Sequence, residues 1–105
     1  MIDKSAAIYI SGPMTGYPEY NYPAFTTAEE KLRELGYKNI INPAKIDRPD
    51  TDWHGCIRRA IVALMEADTV VLLPGWTHSR GANIEMILAA NLGMSVIDYD
   101  SLISS

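Results

Sequence analysis

The sequence predicts a three-layer α/β fold around a parallel sheet of four to five strands, and three observations carry that expectation. Short apolar runs of strand character alternate with stretches whose apolar residues recur at helical spacing. The run Thr69 to Leu73 (TVVLL) is apolar at every position but the first, as a strand buried on both faces must be. Glycine and proline fall at the joints between these segments, where they break one element and open the next.

Each element follows in order. Ala6 to Ser11 (AAIYIS) is a strand ended by Gly12-Pro13, and Met14 to Tyr22 is a loop rich in proline and tyrosine. From Pro23 to Leu35 the stripe Phe25, Ala28, Leu32 and Leu35 marks a helix, stopped by Gly36. Tyr37 to Ile41 reads as the second strand, and Ala44 to Thr51, polar and holding Pro49, as a loop. Asp52 or Thr51 caps a second helix reaching Glu66, with Ile57, Ile61, Leu64 and Met65 as its apolar face. Asp68 opens the central strand, and Pro74-Gly75-Trp76 breaks it. Ser79 caps a third helix, Gly81 to Leu92, stopped by Gly93; Met94 to Asp98 is the last strand and Asp100 to Ser105 a short tail. Met65, Met86 and Met94 read as core, and His54 and His78 as exposed.

Strand and helix repeating this way imply right-handed crossovers, helices on both sheet faces and the order 2-1-3-4 of flavodoxin- and Rossmann-like sheets. In that order the loops after strands one and three diverge at the switch point, where open α/β sheets bind ligands. Those loops are Gly12-Pro13-Met14-Thr15-Gly16 and Gly75-Trp76-Thr77-His78-Ser79-Arg80-Gly81.

Composition bounds the partners. The 105 residues match one domain, residues 1–105, and 48% hydrophobic with 21% charged residues is ordinary for a globular chain. A formal charge of -4 argues against a nucleic-acid polymer or an anionic membrane surface, both of which are met by basic faces. It leaves a nucleotide open, since backbone amides and one or two cations hold one. No apolar run approaches the roughly 18 residues of a membrane span, and Met1-Ile2-Asp3-Lys4 does not lead into a secretory apolar stretch. Cys56 is the one cysteine and no zinc spacing occurs, so the chain reads as cytoplasmic and metal-free. Gly12 to Gly16 lacks the GxGxxG spacing of a dinucleotide site.

Glu85 is the residue that does not fit its surroundings. It is the one charged residue of GANIEMILAANLG and falls roughly 160° from the polar side marked by Asn83 and Asn91, beside Leu88, Ala89 and Leu92. A carboxylate on the sheet-facing side needs partners or a cavity, and Gly81, Ala82 and Ala89 are small enough to leave one. The plain alternative is an edge helix whose Glu85 reaches water or an arginine. Ser79-Arg80-Gly81 opens the same helix, so its free amides, with Arg80, suit a phosphate; a serine cap and a surface arginine are the plain reading. Tyr17, Tyr20 and Tyr22, with Trp76 opposite, suit a planar base, or else pack the loop down. Cys56, near a helix start, has no histidine at nucleophile–base spacing.

Tyr9-Ile10-Ser11-Gly12-Pro13-Met14, Glu66-Ala67-Asp68 and Ser79-Arg80-Gly81-Ala82-Asn83-Ile84-Glu85 together resemble the nucleoside 2-deoxyribosyltransferases and the related 2'-deoxynucleoside 5'-monophosphate N-glycosidases. The similarity is greatest to small bacterial and phage members, which share the Pro-Gly-Trp and Ser-Arg-Gly-Ala elements. By that resemblance Glu85 is the nucleophile and Tyr9 the tyrosine that holds it. Ser79 and Gly81 face a 5'-phosphate, Gly12 and Gly16 belong to the loop beneath the ligand, and Ser11, Pro13, Met14, Gly75, Trp76 and Arg80 complete the substrate site. The family usually carries an aspartate about eight residues before the equivalent of Asp68, where it protonates or orients the base; here that position is Ala60, flanked by Arg58 and Arg59. Asp47, Asp52 and His54 are the substitutes the preceding segment offers.

The resemblance implies cleavage or transfer of an N-glycosidic bond in (deoxy)nucleosides or their 5'-monophosphates, with no cofactor and a homo-oligomeric assembly whose neighbouring loop closes the site. The alternative is a non-catalytic binder of a nucleotide or ADP-ribose-like signal. A flavodoxin-like regulatory module, the third reading, needs an acidic receiver-type pocket that the first strand lacks.

Overall fold

The computed structural model describes residues 2–46 and 52–104. Four strands, β1 (Ala7–Ser11), β2 (Asn39–Ile41), β3 (Thr69–Leu72) and β4 (Ser95–Asp98), form one parallel sheet in the order β2-β1-β3-β4. Around it lie α1 (Tyr22–Glu34), α2 (Trp53–Leu64), α3 (Arg80–Asn91) and α4 (Tyr99–Ile103).

The pleat sorts the core into two layers. On one face Ile8 and Ile10 of β1 and Val71 of β3 pack with Phe25, Ala28 and Leu32 of α1 and with Leu102 of α4. On the other, Tyr9, Val70 and Leu72 pack with Leu64 of α2 and Ala89 of α3. Period-two alternation in doubly buried strands and period-3.6 stripes in the helices are the whole reason for this division. The central pairing runs Ile8 to Thr69 through Ser11 to Leu72, so β1 and β3 end level with each other.

Three boundaries differ from the sequence reading. Tyr37 precedes β2 and is buried, because left-handed Gly36 turns the chain so that Tyr37 N–H bonds the Leu32 carbonyl. The tail expected after Asp98 is a short helix, α4, anchored by buried Leu102. The loop expected from Ala44 begins instead as a 3-10 turn, Pro43–Lys45, which the Asn42 side chain caps at the Ala44 N–H. Residues 47–51 of that loop, with Asp47, Pro49 and the Thr51 cap, lie outside the described residues, as do Met1 and Ser105. Met65 and Leu92, expected in apolar faces, are exposed, because each sits past the last helical turn that reaches the sheet. No helix among the described residues is long and apolar enough to cross a membrane.

Two helix starts are capped as the sequence predicts. Asp52 accepts from the Gly55 N–H at 2.8 Å to open α2, and Ser79 accepts from the Ala82 N–H at 3.2 Å to open α3. Buried Glu29 on α1 ties the turn at Pro43–Lys45 to the helix. Its carboxylate meets Arg33 at 2.9 Å, Lys45 at 3.0 Å and Asn42 at 3.1 Å. Burial pushes that carboxyl up, but the hydrogen bonds from Lys45, Asn42 and Arg33 outweigh it and hold it below its ordinary value.

Candidate active site

The site begins with two strand positions. Tyr9 and Ser11 are two apart on β1, so both project onto the face covered by α2 and α3. Glu85, one turn and a half into α3, meets them there. Tyr9 Oη donates to Glu85 Oε2 at 2.5 Å, and Ser11 Oγ donates to Glu85 Oε1 at 2.8 Å. Each carboxylate oxygen therefore holds one hydroxyl donor. All three residues are buried, with Glu85 4% exposed.

Burial is the largest influence on this carboxyl and raises it; the Tyr9 and Ser11 hydrogen bonds pull the other way and recover part of the shift. The result lies at about 7, against an ordinary value of 4.5. Near neutral pH Glu85 thus divides between a proton-holding acid and a desolvated carboxylate, the condition in which a carboxyl acts as a base or nucleophile.

Glu85 opens onto a cavity of about 220 Å³ at the C-terminal end of β1. Its floor is Tyr9, Gly12, Met14 and Thr15; one side is Ser79, Gly81 and Ala82 at the start of α3. The opposite wall is α2, which presents Trp53, Cys56, Ile57 and Ala60 at i, i+3, i+4 and i+7, with Arg59 beside them. Tyr20, Phe25, Pro43 and Ile46 close the remaining side. Glu85 is the single carboxylate among the described lining residues.

Gly12 is where the chain must be small. A Cβ there would lie 2.9 Å from Leu73 Cβ, because the loop leaving β1 crosses the end of β3. Asn83 fixes the other approach: its Nδ2 donates to the carbonyls of Trp76, Thr77 and Ser79 at 3.2, 3.0 and 2.7 Å, clamping the turn ahead of α3.

The expected site residues divide. Tyr9, Gly12, Met14, Ser79, Gly81 and Glu85 line the cavity, and Ser11 reaches it through Glu85. Pro13 is buried beneath the loop, its carbonyl accepting from Asn21 Nδ2, and Gly16 turns the loop at a positive φ outside the lining. Gly75 and Trp76 line a separate hollow with Asp98 and Asp100, at the ends of β3 and β4. Gly75 sits at a φ of 87°, a left-handed conformation that a residue with a side chain would adopt only under strain. Of the loop aromatics, Tyr20 lines the cavity; Trp76, expected opposite it, does not, and Trp53 stands there instead. Arg80 points outward and stacks on Trp53, its guanidinium carbon 4.1 Å from the ring centroid. Asp52 spends its carboxylate on the α2 cap and His54 is exposed edge-on to Trp53, so neither lines the cavity; Asp47 lies outside the described residues. The α2 wall goes beyond the sequence expectation, and its signal there is the stripe Trp53, Cys56, Ile57 and Ala60 at i, i+3, i+4 and i+7.

A family model described as a domain of unknown function (DUF4406) matches residues 6–98. The chain belongs to the DUF4406 family. The DUF4406 span takes in all four strands and each of Tyr9, Ser11, Arg59, Ser79 and Glu85, so the cavity lies wholly within the family's domain. No curated protein matches the chain.

Proposed function

We propose that this DUF4406 protein breaks the N-glycosidic bond of (deoxy)nucleosides or their 5'-monophosphates, with Glu85 as nucleophile. The observation that carries the reading is a buried carboxyl, held at both oxygens by hydroxyl donors, facing a cavity at the sheet's switch point. Ionised Glu85 attacks the anomeric carbon. The carbon–nitrogen bond breaks, its electron pair leaves with the base, and the base nitrogen takes a proton from solvent water. The sugar is then esterified to Glu85. Water or a second base attacks the same carbon, and the Glu85 carboxylate departs, again received by the Tyr9 and Ser11 hydroxyls. Water makes the protein a hydrolase and a base makes it a transferase. Tyr20 and Trp53 suit the faces of a planar base. The single cysteine and the nucleotide substrate both fit a cytoplasmic protein.

One observation favours a second reading, a non-catalytic nucleotide binder. The cavity wall carries Ala60, and no described lining carboxyl besides Glu85 is there to protonate a leaving base. Chromatography of the products from the four deoxynucleoside monophosphates, with and without an acceptor base, decides between the two. Free base from the wild type and none from Glu85→Gln supports the glycosidase; exchange of bases makes it a transferase. Binding retained by both proteins with no base released establishes the binder.

A further inference from the structure

We infer that Arg59 forms an anion subsite in the α2 wall of the cavity, which takes the phosphoryl group of the ligand in place of the α3 start that the resemblance implies, and makes the site select a monophosphate over the matching nucleoside. The inference rests on the nucleotide reading above and adds the residue that would enforce it.

Arg59 lines the cavity from α2, yet among the described residues its guanidinium has almost nothing to bond. Its Nε is shut off from solvent and has no hydrogen-bond partner among the described residues. Its described hydrogen bond runs to Cys56 Sγ, 3.7 Å from Nη2, and a thiol sulfur is a weak acceptor. Glu85 does not serve as its counter-ion: the described ion pairs do not include the two, and the described partners of the Glu85 oxygens are Tyr9 and Ser11. No described carboxylate forms a salt bridge with it; the described ion pairs all gather on Glu29. A buried donor left unpaired is costly, and a cation costs more than a neutral group. The guanidinium fork offers parallel N–H groups that match two oxygens of a phosphoryl group, and a modest turn of the long side chain presents them to the cavity. The setting sharpens the point. The chain carries a net charge of -4, yet the described lining holds one permanent cation and one carboxyl that is neutral for about half its population near pH 7.

Calorimetric titration of the wild type and of Glu85→Gln, which holds substrate without turning it over, tests the subsite by comparing thymidine monophosphate with thymidine and deoxyribose 5-phosphate with deoxyribose. The phosphorylated member of each pair should bind at least ten times tighter, and Arg59→Gln should cut that advantage to less than threefold. Arg59→Lys, which keeps the charge but not the fork, should retain part of it and serves if Arg59→Gln does not fold. Equal affinity within the pairs for wild type, or an undiminished advantage in the Arg59 variants, overturns the subsite. Base released from thymidine with no phosphate advantage sinks the subsite alone. A phosphate advantage that depends on Arg59, with no base released from any substrate, upholds the subsite and sinks the glycosidase.

Discussion

Glu85 links stability to chemistry through one proton. Its folded-state value of about 7 lies above the 4.5 of the open chain, so the folded protein favours the neutral carboxyl. The stability that neutrality confers is fully present below about 4.5 and is lost as pH rises through about 7. A shift of that size corresponds to about 3 kcal/mol. Glu85→Gln should therefore be inactive yet more stable than the wild type above pH 7, by up to about 3 kcal/mol, with the gap closing near pH 4.5; denaturant titrations at pH 4.5 and 8.5 read it directly. Tyr9→Phe removes one of the two donors to the carboxylate, so the Glu85 value should rise further. The activity of the wild type should climb through about pH 7, and that of Tyr9→Phe should climb later; coincident pH profiles would show that the hydroxyl does not govern the carboxyl.

The elements set this proton where it can be used. β1 supplies both hydroxyls, α3 supplies the carboxyl, and the loop between β1 and α1 must pass the end of β3 without a side chain at Gly12. Gly12→Ala should cost about 1–3 kcal/mol, as other overpacking substitutions do, because Leu73 Cβ belongs to a rigid strand end and cannot swing aside; the thermal midpoint and base release should fall together. The strands and the odd carboxyl were legible in the sequence, since two-sided apolar runs and a lone charge in a small-residue helix are local signals. The walls were less so. Arg59 stood out only as a neighbour of Ala60, because which side of α2 meets a cavity depends on the packing angle of the whole helix. α4 is not legible in the sequence, since five residues carry no helical period and Leu102 orders them only by finding the far layer of the core. Trp76 departs from expectation for a similar reason: the switch-point loop that carries it suggests a place opposite the tyrosines, while the turn clamped by Asn83 faces it toward the ends of β3 and β4, and Trp53 of α2 lines the cavity.

At the scale of the whole molecule, the sheet divides the work. The α1 side is closed by α4, whereas on the α2 and α3 side Val62, Ile87 and Leu92 remain 70%, 53% and 56% exposed. We propose that these exposed residues meet a second copy, as the homo-oligomer implied by the resemblance would require; Val62→Glu with Ile87→Glu should then lower the mass found by light scattering, and a single-copy mass for the unaltered chain would refute the association. The division has another consequence. Ile8 and Ile10 never touch the carboxyl, yet their burial on the α1 side fixes which way Tyr9 and Ser11 point. The far layer thus acts as the alignment key of the near one. One residue inserted ahead of Tyr9 would exchange the faces, leaving Glu85 against isoleucine and the two hydroxyls stranded among the side chains of α1, in a chain whose composition had hardly changed.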